Sequence, residues 1–385
     1  MRNILIYTYE IPNNRHAGSM QLLRVFQGYP ADKLLVLGPK PPAEARLLDC
    51  PYRQIPFPIQ RWRNTRIHQW AMSLPILLPS SRPSPSAARQ LLKDFRPEAV
   101  FTVMDNFSWY STARDFASKR ALPLITVTMD APDRFEKNLG FLEASKQRQI
   151  GEIYQGAERN LCVSRQMADF IAKKYQAPTE TFYFGPPDGL APRLPDESSK
   201  LRKDGGLTLG FAGGLAYGYG EALLSIAKKL VGTKSRIRIY SRDRPSAELA
   251  KMVDYAGSFS HEVLWKKFQE ECDASLLVYA FDHADDDLYR THFPTKLSEY
   301  AWQGMPMVMV GPAHATGITW GMEHLEACLL ETDKKLDGLR EKLGLLAGDT
   351  LKRKNMAEAA LRFAQQEFDP VKVRFRFHQI LASRN

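Results

Sequence analysis

A hydroxyl, an ammonium and a carboxylate follow one another at helical spacing after Pro294. Proline is favoured at the start of a helix, whose dipole would present the Thr295 hydroxyl and the Lys296 ammonium to an anion, with phosphate the expected ligand. Glu299 would lie about one turn later on the same face and could accept two hydrogen bonds from a ribose diol. The alternative is a simple cap at Thr295 with two solvated charges.

A second pattern suited to phosphate is the pair Gly213 and Gly214, which follows a strand-like run at Leu207–Ala212. Glycines after a strand let backbone amides and the next helix terminus approach a phosphate. The spacing does not match G-x-G-x-x-G in register with the strand, so a turn that merely permits tight packing is about as consistent with the sequence.

The basic charge of the chain is concentrated in one segment. The net charge is +10 and the pI about 9.3, and Cys50 to Lys93 contains seven arginine and lysine residues but no acidic one. Arginines alternate there with Trp62 and Trp70 before an apolar run. A solvated helix with packed tryptophans is one interpretation, and contact of residues 53–93 with an anionic membrane or a lipid-linked acceptor is another. We expect no nucleic acid partner, since no helix-turn-helix, zinc-finger or RRM pattern accompanies the charge.

Composition narrows the class of protein further. A chain of 385 residues with 44% hydrophobic residues can form two or three soluble domains of about 150 residues each. Four dispersed cysteines predict a reducing compartment and neither a zinc cluster nor a disulfide framework. The N-terminus lacks a signal-peptide pattern and no apolar run is long enough to span a bilayer, so we expect a cytoplasmic protein, at most peripheral on the inner face of the membrane.

Strand-like and helix-like runs alternate along the whole chain, which is typical of doubly wound parallel sheets. A stretch rich in proline, glycine and serine, from Gly185 to Lys200, predicts a linker between two such sheets. The tail reads as two helices separated at Asp369 and Pro370. The predicted strands are Ile4–Tyr9, Lys33–Leu37, Ala99–Met104, Leu122–Thr128, Asn160–Val163, Thr181–Phe184, Leu207–Ala212, Arg236–Tyr240, Met252–Tyr255, Ala274–Tyr279 and Pro306–Val310.

The stretch Phe293-Pro-Thr-Lys-Leu-Ser-Glu-Tyr-Ala-Trp-Gln-Gly-Met-Pro-Met-Val resembles the nucleotide-sugar signature of GT-B glycosyltransferases, in which two Rossmann-like domains face each other across a cleft. It is most similar to the retaining family-four enzymes. The first strand with its following glycine turn, the Cys162-Val-Ser stretch, and Leu209 to Gly214 with the segment after Tyr255 fit the same template.

The resemblance implies an α/β fold of two tandem Rossmann-like doubly wound domains. Residues 1–187 would bind the acceptor, residues 188–366 the nucleotide sugar, and residues 367–385 would form a helix that crosses back to the N-domain. It implies a hexosyltransferase-type enzyme, acting with retention and without a metal, in polysaccharide or glycolipid assembly. No cofactor is expected, and the donor would be a UDP- or GDP-sugar, with a glycan or lipid-linked acceptor.

The same resemblance assigns residues to the donor and to the acceptor. Glu299 would bind ribose and Thr295 and Lys296 the diphosphate, while the remaining donor candidates are Gly18, Gly213, Gly214, Ser241, Arg242 and Tyr255. Asp130 and Asp133 stand where the family often has a histidine, and either could act as base or orient the acceptor hydroxyl. Asp130 could also form an Asx turn before Pro132. His16 is the next catalytic candidate.

Two departures from the family pattern leave other functions open. Thr291 occupies the position, eight residues before Glu299, that often holds a glutamate near the transferred sugar, and no basic residue lies between Leu215 and Glu221. Lys296, Arg242 or Arg290 would have to supply that charge. The alternatives are a nucleotide-sugar epimerase of the same architecture, a dinucleotide oxidoreductase, and a binding or scaffold subunit without catalysis. Asp285-Asp-Asp is expected to be solvated rather than to hold a metal.

Overall fold

The computed structural model describes residues 1–62, 65–132, 139–192, 194, 205–282 and 286–383. The chain divides into two compact units. Met1–Phe184 and Val371–Asn385 form the first unit, and Gly185–Pro370 forms the second. The first unit is therefore built from both ends of the chain.

The first unit is built on a seven-stranded parallel sheet with the order β3-β2-β1-β4-β5-β6-β7. Every residue of its central strands is buried, as expected for apolar runs that are covered by helices on both faces. The strands are β1 Ile4–Tyr7, β2 Leu34–Gly38, β3 Tyr52–Gln54, β4 Ala99–Val103, β5 Leu124–Thr128, β6 Arg159–Cys162 and β7 Glu180–Thr181.

Helices of the first unit follow its strands along the chain, and the last helix of the protein joins them. Phe377 on that helix packs edge to face against Phe26 and Phe101, with ring centroids 4.9 and 5.8 Å away. The C-terminal helix thereby completes the core of the first unit. The helices are α1 Ala17–Phe26, α2 His68–Leu77, α3 Arg89–Phe95, α4 Phe107–Lys119, α5 Glu143–Gly156, α6 Arg165–Tyr175 and, at the C-terminus, α15 Pro370–Ala382.

The second unit repeats the arrangement with a six-stranded parallel sheet in the order β10-β9-β8-β11-β12-β13. Its strands are β8 Thr208–Ala212, β9 Arg236–Tyr240, β10 Asp254–Gly257, β11 Ala274–Val278, β12 Met307–Val310 and β13 Cys328–Glu331. Its helices are α7 Tyr219–Leu230, α8 Ala247–Ala250, α9 His261–Glu271, α10 Asp286–Thr291, α11 Thr295–Trp302, α12 Thr316–Glu323, α13 Leu339–Gly348 and α14 Thr350–Glu367.

The fold class predicted from the alternation is confirmed, with two tandem doubly wound sheets. Two strands at sheet edges, β3 and β13, were not expected, because each is short and lacks a clear apolar alternation. The predicted linker is only partly described. Within it, the carbonyls of Leu190 and Ala191 accept hydrogen bonds from Trp302 and Gln303, so this part of the segment packs on the second unit.

Candidate functional site

The candidate donor site of the second unit begins at the carboxyl end of β8. Gly213 has φ +148°, a conformation that side chains other than glycine rarely adopt. A Cβ at Gly213 would lie 2.0 Å from Cε of Lys296. The turn therefore holds glycine for two reasons, its backbone conformation and the lysine side chain that crosses directly over it.

The N-terminus of α11 supplies that lysine. Pro294 is the N-cap of the helix rather than part of its first turn, and it provides no side chain that could cap the backbone amides. Lys296 Nζ lies 5.8 Å from the centre of the Phe211 ring on β8. Among the described residues, neither Thr295 Oγ1 nor Lys296 Nζ makes a hydrogen bond. The amine and the first turn of α11 are thus both available to an anion at the glycine turn.

The environment of Lys296 disfavours its positive charge. Burial lowers the pKa of its ammonium, and the nearby Glu299 carboxylate only partly opposes the shift. The side chain of Lys296 is partly exposed, and its ammonium has no hydrogen-bond partner among the described residues, so an anion could reach it and stabilise its charge. A bound phosphate would supply the missing partner.

Glu299 lies one turn further along α11, as the spacing predicts, beside His261 of α9. The two atoms that approach each other, Glu299 Oε1 and His261 Nε2, are 3.5 Å apart. Trp265 Nε1 donates a hydrogen bond of 2.9 Å to the same histidine nitrogen, which assigns the imidazole proton to Nδ1. His261 Nε2 therefore has no proton to donate to the carboxylate in this arrangement.

The turn after β9 is connected to the glycine turn through Asp243. Asp243 Oδ2 accepts a hydrogen bond of 2.8 Å from the backbone N–H of Leu215. The backbone N–H of Asp243 in turn donates to Ser241 Oγ at 3.0 Å, and Tyr255 Oη donates to the carbonyl of Ser241 at 3.0 Å. Ser241 and Tyr255 are thus brought to the glycine turn, and the adjacent Arg242 is exposed, with no ion pair among the described residues.

Two tyrosine hydroxyls also hydrogen-bond to the backbone at and near the glycine turn after β8. Tyr300 Oη on α11 accepts a hydrogen bond of 2.9 Å from the backbone N–H of Ala212. Tyr289 Oη donates to the carbonyl of Tyr217 and accepts from the N–H of Ala280. Sequence reasoning missed Asp243 as a holder of the turn and both tyrosines, since a contact between a side chain and a distant backbone group leaves no pattern in the sequence.

The first unit brings its candidates together at the turns after β1 and β5. Gly18 lies in the first turn of α1, where a Cβ would be 3.3 Å from Met129 Sδ and 3.6 Å from Glu10 Oε1. Because Met129 directly precedes Asp130, these contacts bring the β1 turn close to the β5 turn. Asp130 is half-buried, whereas Asp133 lies outside the described residues.

His16 is the N-cap of α1, in an extended conformation and without a side-chain cap. Its side chain is exposed. Glu10, which sequence reasoning did not select, accepts a hydrogen bond from the hydroxyl of Ser19 in the same region. The carboxyl ends of the strands in the first unit thus carry carboxylates and an imidazole. These groups suit a hydroxyl-bearing ligand better than an anion.

Neither a metal cluster nor a membrane span occurs in the described part of the chain. Within it, no group of three or more histidine, cysteine, aspartate or glutamate side chains could hold a metal ion. In the same ranges no helix combines the length and the apolar character that a bilayer crossing requires. The first residue of the predicted solvated acidic run, Asp285, falls outside these ranges, and the other two, Asp286 and Asp287, begin α10.

Two doubly wound units, with a glycine turn and a lysine-bearing helix N-terminus in the second, define the GT-B glycosyltransferase fold. Comparison with solved structures shows this fold over the whole chain. Alr3699/HepE from Anabaena, crystallised in complex with UDP, covers 100% of both chains with a TM-score of 0.67 and 14% sequence identity. A structure of the same protein contains UDP-glucose, with a TM-score of 0.63.

Two further solved structures share the architecture. Sucrose-phosphate synthase (tll1590) from Thermosynechococcus elongatus has a TM-score of 0.68 at 10% identity and covers 98% of this chain and 97% of its own. WaaG, a glycosyltransferase involved in lipopolysaccharide biosynthesis, has a TM-score of 0.59 at 13% identity and covers 99% and 100%. No protein-family model and no curated protein sequence matches the chain. The likeness to family four in particular stays a prediction.

Proposed function

We propose that the protein is a glycosyltransferase that moves a sugar from a nucleoside diphosphate donor to an acceptor hydroxyl. The observation that carries the proposal is Lys296, whose ammonium lies over Gly213 at the uncapped start of α11 without a hydrogen bond among the described residues. A diphosphate at this point would meet a positive charge and the backbone amides of a helix N-terminus together.

The nucleoside would extend from the diphosphate toward Glu299 and the β9 turn. We assign the ribose diol to the Glu299 carboxylate, which lies one turn from Thr295 on α11. The base would lie near Ser241 and Tyr255, whose side chain is exposed on the edge strand β10. The UDP and UDP-glucose complexes of HepE support uridine as the first nucleoside to test, before guanosine.

In the transfer itself, the bond between the anomeric carbon and the diphosphate oxygen breaks, and the nucleoside diphosphate leaves with the electron pair. The acceptor oxygen bonds to the anomeric carbon, and its proton passes to a base. We propose Asp130 for orienting the acceptor or accepting that proton, with Asp133 and His16 as the other candidates. The charge of the leaving diphosphate would be stabilised by the α11 dipole, Lys296 and Arg242 rather than by a metal ion.

The finer features of the reaction belong to the same proposal. By resemblance, transfer would be of hexosyltransferase type with retention at the anomeric carbon. The acceptor would be a glycan or a lipid-linked glycan in polysaccharide or glycolipid assembly. The protein would act in the cytoplasm, against the inner face of the membrane.

Calorimetric titration of the full chain with UDP, UDP-glucose, GDP and NAD tests the donor assignment. We expect a uridine or guanosine diphosphate compound to bind in the presence of EDTA, because the site supplies its own positive charge. Exclusive binding of NAD would overturn the proposal in favour of an oxidoreductase. The glycine spacing disfavours that alternative, because Gly213 and Gly214 do not match G-x-G-x-x-G in register with β8.

Product analysis then separates the remaining alternatives. Incubation with a labelled nucleotide sugar and a panel of glycan acceptors should yield a glycosylated acceptor and free nucleoside diphosphate in equal amounts. An isomerised donor sugar formed without acceptor would show an epimerase. Donor binding without any turnover across the panel would show a binding or scaffold subunit.

A further inference from the structure

Helix α2 of the first unit exposes apolar side chains where a surface helix normally carries polar ones. We call the set formed by Ile67, Trp70, Leu74, Leu77 and Leu78 the outer face of α2. Ile67, Trp70, Leu74 and Leu77 are three or four positions apart and so share one side of the helix, and Leu78 follows as its C-cap. Trp70 is 63% exposed and Leu77 55% exposed, which rules out the packing on the domain considered for Trp70 from sequence.

The opposite face of α2 anchors the helix in the first unit. Ala71, Met72 and Ile76 are buried, and Ile76 belongs to the hydrophobic core cluster of this unit. Ser73 Oγ accepts a hydrogen bond of 3.0 Å from the backbone N–H of Leu139. The helix is therefore apolar on two sides, one packed against the protein and one exposed.

A further exposed aromatic side chain lies near α2. Phe141 is 74% exposed, and it follows Leu139, which is bonded to Ser73, by two residues. Exposed apolar patches that reach beyond scattered single residues usually mark interaction sites.

The segment that contains α2 carries only positive charges. No acidic residue occurs from Cys50 to Lys93. Arg82 is neutralised by Asp115 at 3.0 Å, and Arg63 lies outside the described residues. The other basic side chains of the segment are exposed and form no ion pair among the described residues; they are Arg53, Arg61, Arg66, Arg89 and Lys93.

We propose that the outer face of α2 inserts into the interfacial region of an anionic lipid bilayer, with these unpaired basic side chains contacting the lipid phosphates. The segment combines tryptophan and leucine with arginine and contains no carboxylate. This composition is typical of helices that lie in a membrane interface. The combination complements an anionic lipid surface in both charge and polarity. The outer face of α2 would be the attachment surface of the proposed glycosyltransferase. Vesicle binding needs neither donor nor acceptor, so the membrane proposal and the proposed function can fail separately.

Sedimentation of the full chain with vesicles tests the inference. Vesicles of 70% phosphatidylcholine and 30% phosphatidylglycerol should bind the protein at low salt, and vesicles of phosphatidylcholine alone should bind it much less. Trp70 should move to an apolar environment, giving a blue shift of fluorescence that Trp70→Phe removes. No binding to the anionic vesicles would overturn the proposal.

Variants identify the surface. Changing Trp70, Leu74 and Leu77 together to serine should weaken binding by about tenfold or more, because interfacial affinity scales with the buried apolar area. Arg61→Ser and Arg66→Ser should each weaken it by roughly fivefold. The control changes Leu345 and Leu351 of the second unit to serine, since they are 62% and 67% exposed on α13 and α14, and it should bind as the wild type does.

Misfolding and self-association are distinguished from membrane binding by two measurements. Circular dichroism should show that the triple variant is folded, as expected for a change confined to exposed side chains. Light scattering after gel filtration should show the same mass for the wild type and the triple variant. If the wild type is a dimer that the triple variant dissociates, and vesicle binding is equal in both, the surface binds a second copy and the membrane proposal is wrong.

Discussion

The six strands of the second unit have the same order as β3 to β6 of the seven-stranded sheet in the first unit. The two units nevertheless place opposite chemistry at the carboxyl ends of those strands. In the second unit, Lys296 and the start of α11 present positive charge at a glycine turn. In the first unit, Glu10 follows β1, the strand that corresponds to β8, Asp130 follows β5, and His16 lies at the start of α1. One sheet topology can therefore carry positive or negative side chains at its turns, and the proposed donor and acceptor sites use this difference.

The largest effect on this contrast is expected from Lys296→Met, which keeps the apolar stem over Gly213 and removes the charge. Affinity for UDP should fall roughly 10- to 100-fold, the usual range for losing a hydrogen bond to a charged group. Isothermal titration calorimetry measures the dissociation constant of UDP for both proteins. Lys267→Met is the control, because that lysine pairs with Glu271 on α9 at 3.1 Å. Equal losses in both variants would remove the special role of Lys296.

Gly213→Ala should lower the free energy of unfolding by about 1–3 kcal/mol, because alanine is strained at this positive φ. The variant should also bind UDP more weakly, because the new Cβ displaces the Lys296 amine. Gly232→Ala is the matched control, since Gly232 has φ +81° with no atom within 4 Å of a Cβ. Its stability loss should be similar and its UDP affinity normal. If both variants bind UDP as tightly as the wild type, the lysine does not need its observed position.

Glu299→Gln should weaken UDP by about tenfold, because an amide can accept fewer hydrogen bonds from a diol than a carboxylate can. Titration with 2′,3′-dideoxy-UDP sharpens the test, since this ligand lacks the diol. Wild type and variant should bind it equally. A loss of the same size with both ligands would show that Glu299 acts through something other than ribose.

Two histidines should give the units opposite responses to pH. Burial lowers the pKa of His324, but hydrogen bonds to Glu367 and to the carbonyl of Trp320 outweigh it, so the net pKa is raised. Its stabilisation of the second unit is present below about pH 6.5 and should be lost as pH rises through the raised pKa. Burial lowers the pKa of His378, so the first unit should lose stability as pH falls below about 6.5.

Thermal unfolding of His324→Gln and His378→Gln between pH 5 and 9 measures these contributions. His324→Gln should flatten the decrease in stability toward high pH, and His378→Gln should flatten the decrease toward low pH. Unchanged profiles in both variants would show that other groups dominate the pH dependence.

The smallest effect is expected in the first unit. Asp130→Asn and His16→Gln should change the affinity for UDP by less than about twofold, because neither residue is assigned to the donor, while turnover with an acceptor should fall. A loss of UDP affinity comparable to that of Lys296→Met would break the contrast between the units.

Regular spacing made much of this structure predictable. The alternation of apolar runs predicted both sheets. The interval from Thr295 to Glu299 predicted that a hydroxyl, an amine and a carboxylate lie on one helix, which is α11. The contacts that hold the glycine turn were not predictable, because Tyr300, Tyr289 and Asp243 reach backbone groups that are distant in sequence. The exposure of the outer face of α2 could not be predicted either. Apolar residues occur on both sides of that helix, and only the packing shows which side is buried.

The position of α15 has a consequence for the order in which the protein can acquire its structure during synthesis. All strands of the second unit lie within one continuous stretch, Gly185–Pro370, whereas the first unit needs residues from both ends of the chain. Until translation reaches Phe377, the rings of Phe26 and Phe101 lack the aromatic partner that covers them. We therefore expect the core of the nascent first unit to stay incomplete, with Phe26 and Phe101 partly uncovered, until the ribosome has synthesised the whole second unit and α15.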